Sequence, residues 1–132
     1  MRILVAPDKF KGTASAQIVA ESIRKALSRE HEIILQPLAD GGEGTIEAFG
    51  GPNRTDLVLG PLNTPVNAQW RLQGTTAIIE MAQASGLALV GGSEGNDPIA
   101  ASTIGTGQLI ATAIERGARS ILVCAGGSAT TD

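Results

Sequence analysis

The sequence predicts an α/β fold with one antiparallel stretch, and three features of the chain indicate it. Residues 3–6 and 121–124 are short apolar runs that lead into small residues, which is typical of buried parallel strands. Residues 19–27 repeat their apolar side chains at helical spacing. Residues 66–72 instead alternate apolar and polar side chains, as a half-buried antiparallel strand does.

The amino-terminal part of the chain predicts a strand, a helix and a second strand, which together form a βαβ unit. Pro7 ends the first strand, and either Thr13 or Ser15 can cap the helix that follows. Residues 32–36 form the second strand. The helix side chains expected to face inward are Val19, Ile23, Ala26 and Leu27.

The rest of the chain predicts short elements separated by glycine-rich loops. The predicted elements are a helix start at 45–49, strands at 56–59, 66–72 and 77–80, a helix at 106–116 and a buried strand at 121–124. Gly117 is the expected carboxyl-terminal cap of the longer helix. The side chains of that helix expected to face inward are Leu109, Ile110, Ala113 and Ile114.

The composition excludes several classes of function. The chain has 132 residues and a net charge of -3, so it fits one domain and lacks the basic surface that a nucleic-acid backbone attracts. Two phenylalanines, one tryptophan and no tyrosine leave few rings to stack on bases. Cys124 is the only cysteine, which excludes an intramolecular disulfide, and we expect it to be a small buried side chain.

The apolar runs of the chain are all short. None approaches the roughly 18 residues that a membrane span needs, and the amino-terminal run is too short for a signal peptide. We therefore expect a soluble protein of the reducing cytoplasm. Together with the composition, this makes neither nucleic acid nor a membrane an expected partner.

Three predicted strands run into loops with one layout, in which small residues carry a carboxylate. The loops are residues 6–12, 38–45 and 124–132. Ligands of open parallel sheets bind outside the carboxyl ends of the strands, so parallel strands would bring the loops to one edge. Carboxylates are ligands of Mg²⁺, whereas lysines and glycine amides hold anions. The acidic candidates are Asp8, Asp40, Glu43 and Asp132, and the basic candidates are Lys9 and Lys11.

Familiar nucleotide and nucleophile motifs are absent from the chain. No glycine is followed by lysine, which excludes a Walker P-loop, and Ile110 replaces the third glycine of the dinucleotide fingerprint that Gly105 and Gly107 begin. Ser128 has no evident base, since His31 is the only histidine. A single acidic loop residue is more often solvated or capping than catalytic. Only the shared layout of the three loops therefore favours a site.

Five segments of the chain resemble the type-1 glycerate kinase family and occur in the family's order. Each segment alone is modest, but together they are specific and extend over nearly the whole chain. The segments are Ala6-Pro7-Asp8-Lys9-Phe10-Lys11-Gly12, Ala39-Asp40-Gly41-Gly42-Glu43-Gly44-Thr45, Glu80-Met81-Ala82-Gln83-Ala84-Ser85-Gly86-Leu87, Gly105-Thr106-Gly107-Gln108-Leu109-Ile110 and Gly126-Gly127-Ser128-Ala129-Thr130-Thr131-Asp132.

The resemblance implies ATP- and Mg²⁺-dependent phosphorylation of D-glycerate to a phosphoglycerate. It also implies a flavodoxin-like parallel-sheet domain and a second, partly antiparallel α/β domain, with the active site in the cleft between them. Residues 1–54 would then be the first part of the flavodoxin-like domain, 55–99 a short-strand region that begins the second domain, and 100–132 a βα-type segment that ends in a glycine-rich loop. The oligomeric state stays open.

The resemblance further implies roles for individual residues. The catalytic candidates are Asp8, Lys11, Asp40 and Glu43, with Lys11 neutralising phosphate or carboxylate charge. The candidates for binding substrate or nucleotide are Gly41, Gly42, Ser85, Thr106, Gly126, Gly127, Ser128 and Thr130. The metal candidates are Asp40 and Asp132. Which loops bind ATP and which bind glycerate stays open.

The length of the chain departs from the family that it resembles. Family members are much longer and continue past the position of Asp132 into more glycines. We therefore expect an incomplete parallel-sheet domain and a chain that is inactive by itself. The alternative is a stand-alone α/β module that binds an anion or nucleotide without catalysis. A flavodoxin-like redox domain is disfavoured, because only Phe10 is near these loops to stack on a flavin.

Overall fold

A computed structural model of the chain describes residues 1–10, 12–27 and 30–131. Lys11, Ser28, Arg29 and Asp132 lie outside the described residues. The chain divides into two compact units, Met1–Asp40 and Gly41–Asp132, which we call the amino-terminal unit and the carboxyl-terminal unit. The domain boundaries that the resemblance implies, after residues 54 and 99, stay a prediction.

The amino-terminal unit is the predicted βαβ unit. Its elements are β1 (Arg2–Val5), α1 (Ala16–Ala26) and β2 (Glu32–Leu35). The two strands pair in parallel, with Val5 opposite Leu35. Ser15 is the helix cap, since its hydroxyl accepts a hydrogen bond from the Ile18 N–H at 3.3 Å. The strand, helix and cap predicted from the sequence are therefore confirmed.

The apolar stripe of α1 is covered only in part. Ala20 is fully buried, whereas Ile23 and Ala26 are exposed, so the prediction that these two face inward is wrong. The expectation that the first strand is buried also fails at Leu4, which is 63% exposed. Two four-residue strands present too little surface to cover an 11-residue helix along its whole length.

The carboxyl-terminal unit contains a mixed four-stranded sheet in the order β3-β4-β5-β6. Its elements are α2 (Thr45–Ala48), β3 (Arg54–Leu59), β4 (Pro65–Gln73), β5 (Thr76–Glu80), α3 (Ala82–Ser85), a 3₁₀ turn (Leu87–Val90), α4 (Ile104–Glu115) and β6 (Ser120–Cys124). β4 is antiparallel to both β3 and β5, whereas β5 and β6 are parallel. The α/β class with one antiparallel stretch is therefore confirmed.

The core of this unit lies on one face of β4 and β5. Trp70, Ile79 and Leu109 are fully buried there, and Ala68 joins Trp70 on the inward face of β4. Polar residues between them, such as Gln69, are exposed, as the alternation in the sequence predicts. The burial of these large side chains is the main source of stability in the unit.

Trp70 is also held through its polar atom. Its indole Nε1 donates a hydrogen bond to Asp56 Oδ2 at 2.7 Å. Arg116 pairs with the other oxygen of Asp56, and its guanidinium lies 5.8 Å from the centre of the Trp70 ring. This cluster joins β3 and β4 to the end of α4, because each of its three residues comes from a different part of the fold.

α4 ends as predicted, because Gly117 adopts a left-handed φ of 91° just beyond it. Leu109 and Ala113 are buried, but Ile114 is 57% exposed and its predicted inward orientation is wrong. α4 packs against the sheet through one narrow stripe, and Ile114 lies beside that stripe rather than on it.

β6 is only half covered. Cys124 is buried as expected, while Leu122 and Val123 are exposed, so the prediction of a fully buried strand is wrong at these two positions. β6 is the last strand in the order of the sheet, and within the described residues it pairs only with β5. None of the described helices is long and apolar enough to cross a membrane.

Candidate active site

Two glycine loops meet in the carboxyl-terminal unit. We call residues 41–44 the first glycine loop and residues 125–128 the second glycine loop. The Gly126 N–H donates a hydrogen bond to the Gly41 carbonyl at 3.0 Å. A Cβ at Gly126 would lie 2.6 Å from Gly42 Cα, so no larger residue fits at this crossing. The sequence predicted that three loops meet at one edge of a single parallel sheet. In the structure β2 and β6 belong to separate sheets, and the contact at Gly41 and Gly126 joins two of the three loops.

The second glycine loop starts where two parallel strands end together. Glu80 at the end of β5 is opposite Cys124 at the end of β6, and the Met81 N–H donates to the Cys124 carbonyl at 2.9 Å. The carboxyl ends of parallel strands are the usual place for ligands in open α/β sheets. The candidate residues of this unit accordingly lie at the edge that the topology favours.

The first glycine loop leads directly into α2. Gly41 and Gly44 adopt positive φ angles of 86° and 89°, which glycine alone adopts without strain. Thr45 donates its hydroxyl to the Gly42 carbonyl at 2.7 Å and thereby closes the turn. Glu43 is exposed, and its Oε1 lies 3.8 Å from the place where a Cβ of Gly127 would stand. The Glu43 carboxylate of the first loop therefore lies close to Gly127 of the second loop.

Hydroxyl groups shape the end of the second glycine loop. Ser128 Oγ lies 2.9 Å from Thr130 Oγ1 and accepts the Thr130 N–H at 3.0 Å. Asn96 donates its side-chain amide to the Ala129 carbonyl at 2.8 Å, which joins the segment to the loop before α4. Ser128 and Thr130 are half-buried. Both hydroxyls can still turn toward a ligand, because a hydroxyl both donates and accepts.

Ser85 and Thr106 lie deeper in the unit. Both residues are buried, and their hydroxyls are 2.8 Å apart and hydrogen bonded to each other. The Ser85 carbonyl also accepts the Ala129 N–H at 2.9 Å. In this structure the pair joins α3 to α4 beneath the second glycine loop. Contact of these two hydroxyls with a ligand stays a prediction.

In the amino-terminal unit, the acidic candidates surround Lys9. The Lys9 Nζ lies 2.9 Å from Asp40 Oδ1, and the Lys9 backbone N–H donates to Asp8 Oδ1 at 2.6 Å. Asp40 is well exposed and Asp8 is half-buried. The structure therefore brings two acidic candidates to the same lysine, which the sequence offered only as one of two possible cations.

Two of the candidates predicted from the sequence, Lys11 and Asp132, fall outside the described residues. Within residues 1–10, 12–27 and 30–131, no three His, Cys, Asp or Glu side chains come close enough together to hold a metal ion. The predicted magnesium site includes Asp132 together with Asp40, and it stays a prediction.

Sequence reasoning assigned no role to Glu80, although it ends a strand that is otherwise apolar. Glu80 is 2% exposed, and its Oε1 accepts a hydrogen bond from the Ile46 N–H at 2.6 Å. Burial raises the pKa of the Cys124 thiol, and the charge of Glu80 raises it further. A carboxylate that follows Ala77, Ile78 and Ile79 at a strand end was the signal available in the sequence.

The comparisons with known proteins all indicate the same family. The sequence model of the glycerate kinase family matches residues 3–132. The chain is 45% identical over 141 residues to Glycerate 2-kinase of Escherichia coli (strain K12), covering 100% of this chain and 37% of that protein. It is 43% identical over 139 residues to Glycerate kinase of Halalkalibacterium halodurans, covering 98% and 36%.

A solved structure shows the same likeness. The crystal structure described as glycerate kinase 2 from Salmonella typhimurium LT2 matches with a TM-score of 0.79 and 41% sequence identity, covering 100% of this chain and 38% of that one. The chain therefore spans about 37% of the length of the curated relatives it matches. The match extends through the segments that contain both glycine loops, and the chain belongs to the glycerate kinase family.

Proposed function

We propose that this chain supplies the glycine-loop part of a kinase that transfers the γ-phosphoryl group of ATP to D-glycerate. The observation that carries the proposal is the crossing of the two glycine loops, where Gly126 donates to Gly41 at 3.0 Å. Glu43 belongs to the first glycine loop and Ser128 to the second, and the Thr130 hydroxyl lies 2.9 Å from that of Ser128. Phosphoryl transfer requires mainly positioning and charge neutralisation, which backbone amides, hydroxyls and charged side chains supply.

The reaction forms a bond between a glycerate oxygen and the γ-phosphorus and breaks the bond from that phosphorus to the ADP oxygen. The proton of the glycerate hydroxyl must leave, and a carboxylate is a suitable acceptor. Asp8, Asp40 and Glu43 are the proposed acidic groups. Lys11 is proposed to neutralise phosphate or glycerate charge, and Lys9 has the same chemistry.

The donor types present suit a magnesium ion. Asp40 is exposed, and its Oδ1 forms an ion pair with the Lys9 ammonium group at 2.9 Å. This carboxylate therefore binds positive charge in the structure. Mg²⁺ takes one or two carboxylates together with phosphate oxygens, and Asp40 and Asp132 are each proposed as a carboxylate ligand. When bound, the ion neutralises charge on the phosphates.

A cytoplasmic location, where ATP is available, agrees with the proposed reaction.

We propose further that the 132 residues do not turn over glycerate by themselves. The support is the coverage of the relatives, since the aligned region is 37% of the Escherichia coli protein. Substrate contacts supplied by the other parts of such a protein would be missing from the isolated chain.

The test joins this chain to the parts of two relatives that it does not cover. The chain replaces the matching region of the Escherichia coli protein in one fusion and of the Halalkalibacterium halodurans protein in the other. We expect both fusions to form ADP from MgATP only when D-glycerate is present, while the chain alone forms none. Two backgrounds guard against a single junction that fails to fold.

A matched pair of variants links activity to the loop crossing. Gly126→Ala places a Cβ 2.6 Å from Gly42 Cα, whereas Gly107→Ala meets nothing within 4 Å. Gly126→Ala should lower kcat by about 100-fold, because displacement by about an ångström is enough for such a loss, and Gly107→Ala should leave it unchanged. Folded fusions without glycerate-dependent ADP formation would refute the kinase proposal. Saturable binding of MgATP by the chain alone, with inactive fusions, would instead favour the stand-alone binding module.

A further inference from the structure

Glu80 is a buried carboxylate in an apolar strand. It is 2% exposed and follows Ile78 and Ile79, which are themselves buried. Burying a charged group is costly unless hydrogen bonds or opposite charge compensate it. We therefore expect a hydrogen-bond donor or a positive charge close to the Glu80 carboxylate.

The contact of Glu80 is the amino-terminal end of α2. Its Oε1 accepts the Ile46 N–H at 2.6 Å, which is short and typical of a bond to a carboxylate. The first backbone N–H groups of a helix have no partner within the helix. Gly44 stands at the capping position and has no side chain to accept them. Glu80 thus supplies from β5 the cap that the local sequence lacks.

The other end of α2 is held by the opposite charge. Arg71 of β4 donates from Nη1 to the Gly51 carbonyl at 2.7 Å and to the Gly50 carbonyl at 3.2 Å. These carbonyls lie two and three residues after Ala48, the last residue of α2, and a guanidinium is a strong donor to such oxygens. Glu80 and Arg71, which we call the α2 bracket, therefore tie both ends of one short helix to the same sheet.

The first glycine loop lies between the α2 bracket and the loop crossing. One end of the loop is tied by Gly41, which accepts the Gly126 N–H, and the other end continues into α2, where Ile46 is tied by Glu80. Loss of the Glu80 bond would free that second end and let Gly41 and Gly42 shift against the second glycine loop.

We propose that Glu80 is a positioning residue, which sets the distance between the two glycine loops. This inference rests on the proposed phosphoryl transfer to D-glycerate. Glu80 acts through α2 and the first loop rather than by touching a substrate. Arg71 supports it from the opposite end, with a smaller effect because the carbonyls it binds lie on the far side of α2 from the loop.

The first test is structural and uses the 132-residue chain. Amide resonances of Ile46 and Gly126 are compared by ¹H–¹⁵N NMR in wild type, Glu80→Gln and the exposed control Glu115→Gln. We expect Glu80→Gln to move the Ile46 amide upfield, because a neutral amide oxygen replaces the carboxylate, and to move Gly126 as the loops shift. Glu115→Gln should move neither, and Arg71→Lys should move Gly126 by less.

Two outcomes of this test contradict the proposal. An unchanged Ile46 resonance would mean that the capping bond is not formed in solution. A shifted Ile46 with an unchanged Gly126 would mean that Glu80 caps α2 without setting the loop crossing. Glu80→Gln is nearly isosteric, so it decides the question even if Glu80→Ala does not fold.

The second test measures kinetics in the two active fusions, per mole of folded protein. Glu80→Ala should lower kcat by about 10- to 100-fold, with little change in KM for MgATP or D-glycerate, and Glu80→Gln should restore part of the loss. Equal kcat in wild type and folded Glu80→Ala would overturn the positioning role. Inactive wild-type fusions would refute the proposed function instead, and the resonances of Ile46 and Gly126 would still decide whether Glu80 sets the loop crossing.

Discussion

The two units of this chain use the same kind of element and differ in how well they bury it. Each contains a pair of parallel strands, and at least one strand of each pair runs into a loop of small residues whose sequence includes a carboxylate. In the amino-terminal unit, Val5 and Ala20 are the buried apolar residues of the described part. In the carboxyl-terminal unit, the large side chains of Trp70, Ile79 and Leu109 are fully buried. A shared loop layout therefore does not imply a shared stability.

The difference has a physical basis in buried area. Hydrophobic stabilisation grows with the apolar surface removed from water, and one helix on two short strands removes little of it. The carboxyl-terminal unit should therefore unfold only globally, whereas the amino-terminal unit should open locally at lower cost. Candidate residues such as Asp8 and Lys9 then lie in the part of the chain that is easier to deform.

The largest expected effect compares one aromatic residue from each unit. Trp70→Ala should cost about 3–5 kcal/mol of unfolding free energy, because it empties the core and leaves Asp56 without its indole donor. Phe10→Ala, at a position that is 61% exposed, should change it by less than about 0.5 kcal/mol. Urea denaturation measures both. Similar costs for the two variants would show that the units do not differ as described.

The next prediction compares Gly→Ala substitutions at two positions of α4. The change in unfolding free energy should have opposite signs at the two positions. A Cβ at Gly105 would lie 1.8 Å from the Leu59 carbonyl oxygen, while a Cβ at Gly107 would meet nothing within 4 Å. Gly105→Ala should destabilise the protein by about 1–3 kcal/mol through overpacking. Gly107→Ala should stabilise it by up to about 1 kcal/mol through helix propensity. Thermal melts distinguish the two, and a stabilised Gly105→Ala would mean that α4 lies farther from β3.

A smaller effect tests the local opening of the amino-terminal unit. Ser15→Ala removes the cap of α1 and should cost about 1 kcal/mol, seen as faster hydrogen exchange of α1 amides with little change in β5. Ser22→Ala, in the interior of the same helix, serves as the control, and it should leave α1 exchange unchanged or slower. Equal acceleration in β5 would show that the two units open together.

The smallest effect concerns the thiol of Cys124. Burial, assisted by the charge of Glu80, raises its pKa above the ordinary value of 9.0. The folded protein therefore keeps this proton at a pH where the unfolded chain loses it, so stability should fall as pH rises above about 9 toward the folded-state pKa. Cys124→Ala should weaken that pH dependence. Alkylation by iodoacetamide with a midpoint at or below that of an unfolded control would contradict the shift.

Sequence patterns predicted most of the elements and only part of their burial. The βαβ unit, the alternation in β4, the cap at Ser15 and the end of α4 at Gly117 all depend on neighbours along the chain, and each was confirmed. The errors at Leu4 and Ile114 share one cause. Hydrophobicity shows that a side chain favours burial, but the amount of cover depends on which elements pack nearby.

The candidate site likewise has features that the sequence predicted and features that it did not. The shared layout of the strand-end loops indicated which segments contain the candidate residues. Their crossing did not follow from one parallel sheet, because the strands before the two glycine loops, β2 and β6, belong to separate sheets. The buried pair of Ser85 and Thr106 could not, since their 2.8 Å contact joins two helices whose relative position no local pattern encodes.

The sequence by itself determined where the chain turns and what chemistry its loops contain, because glycines at strand ends and alternating side chains act over a few residues. Only the tertiary structure decided how the first glycine loop is held. Gly44 leaves α2 without a local cap, and the acceptor comes from Glu80, 34 residues beyond Ile46. That pairing arises because burial in β5 deprives the carboxylate of water and leaves the uncapped helix end as its partner, which is a consequence of packing rather than of sequence neighbours.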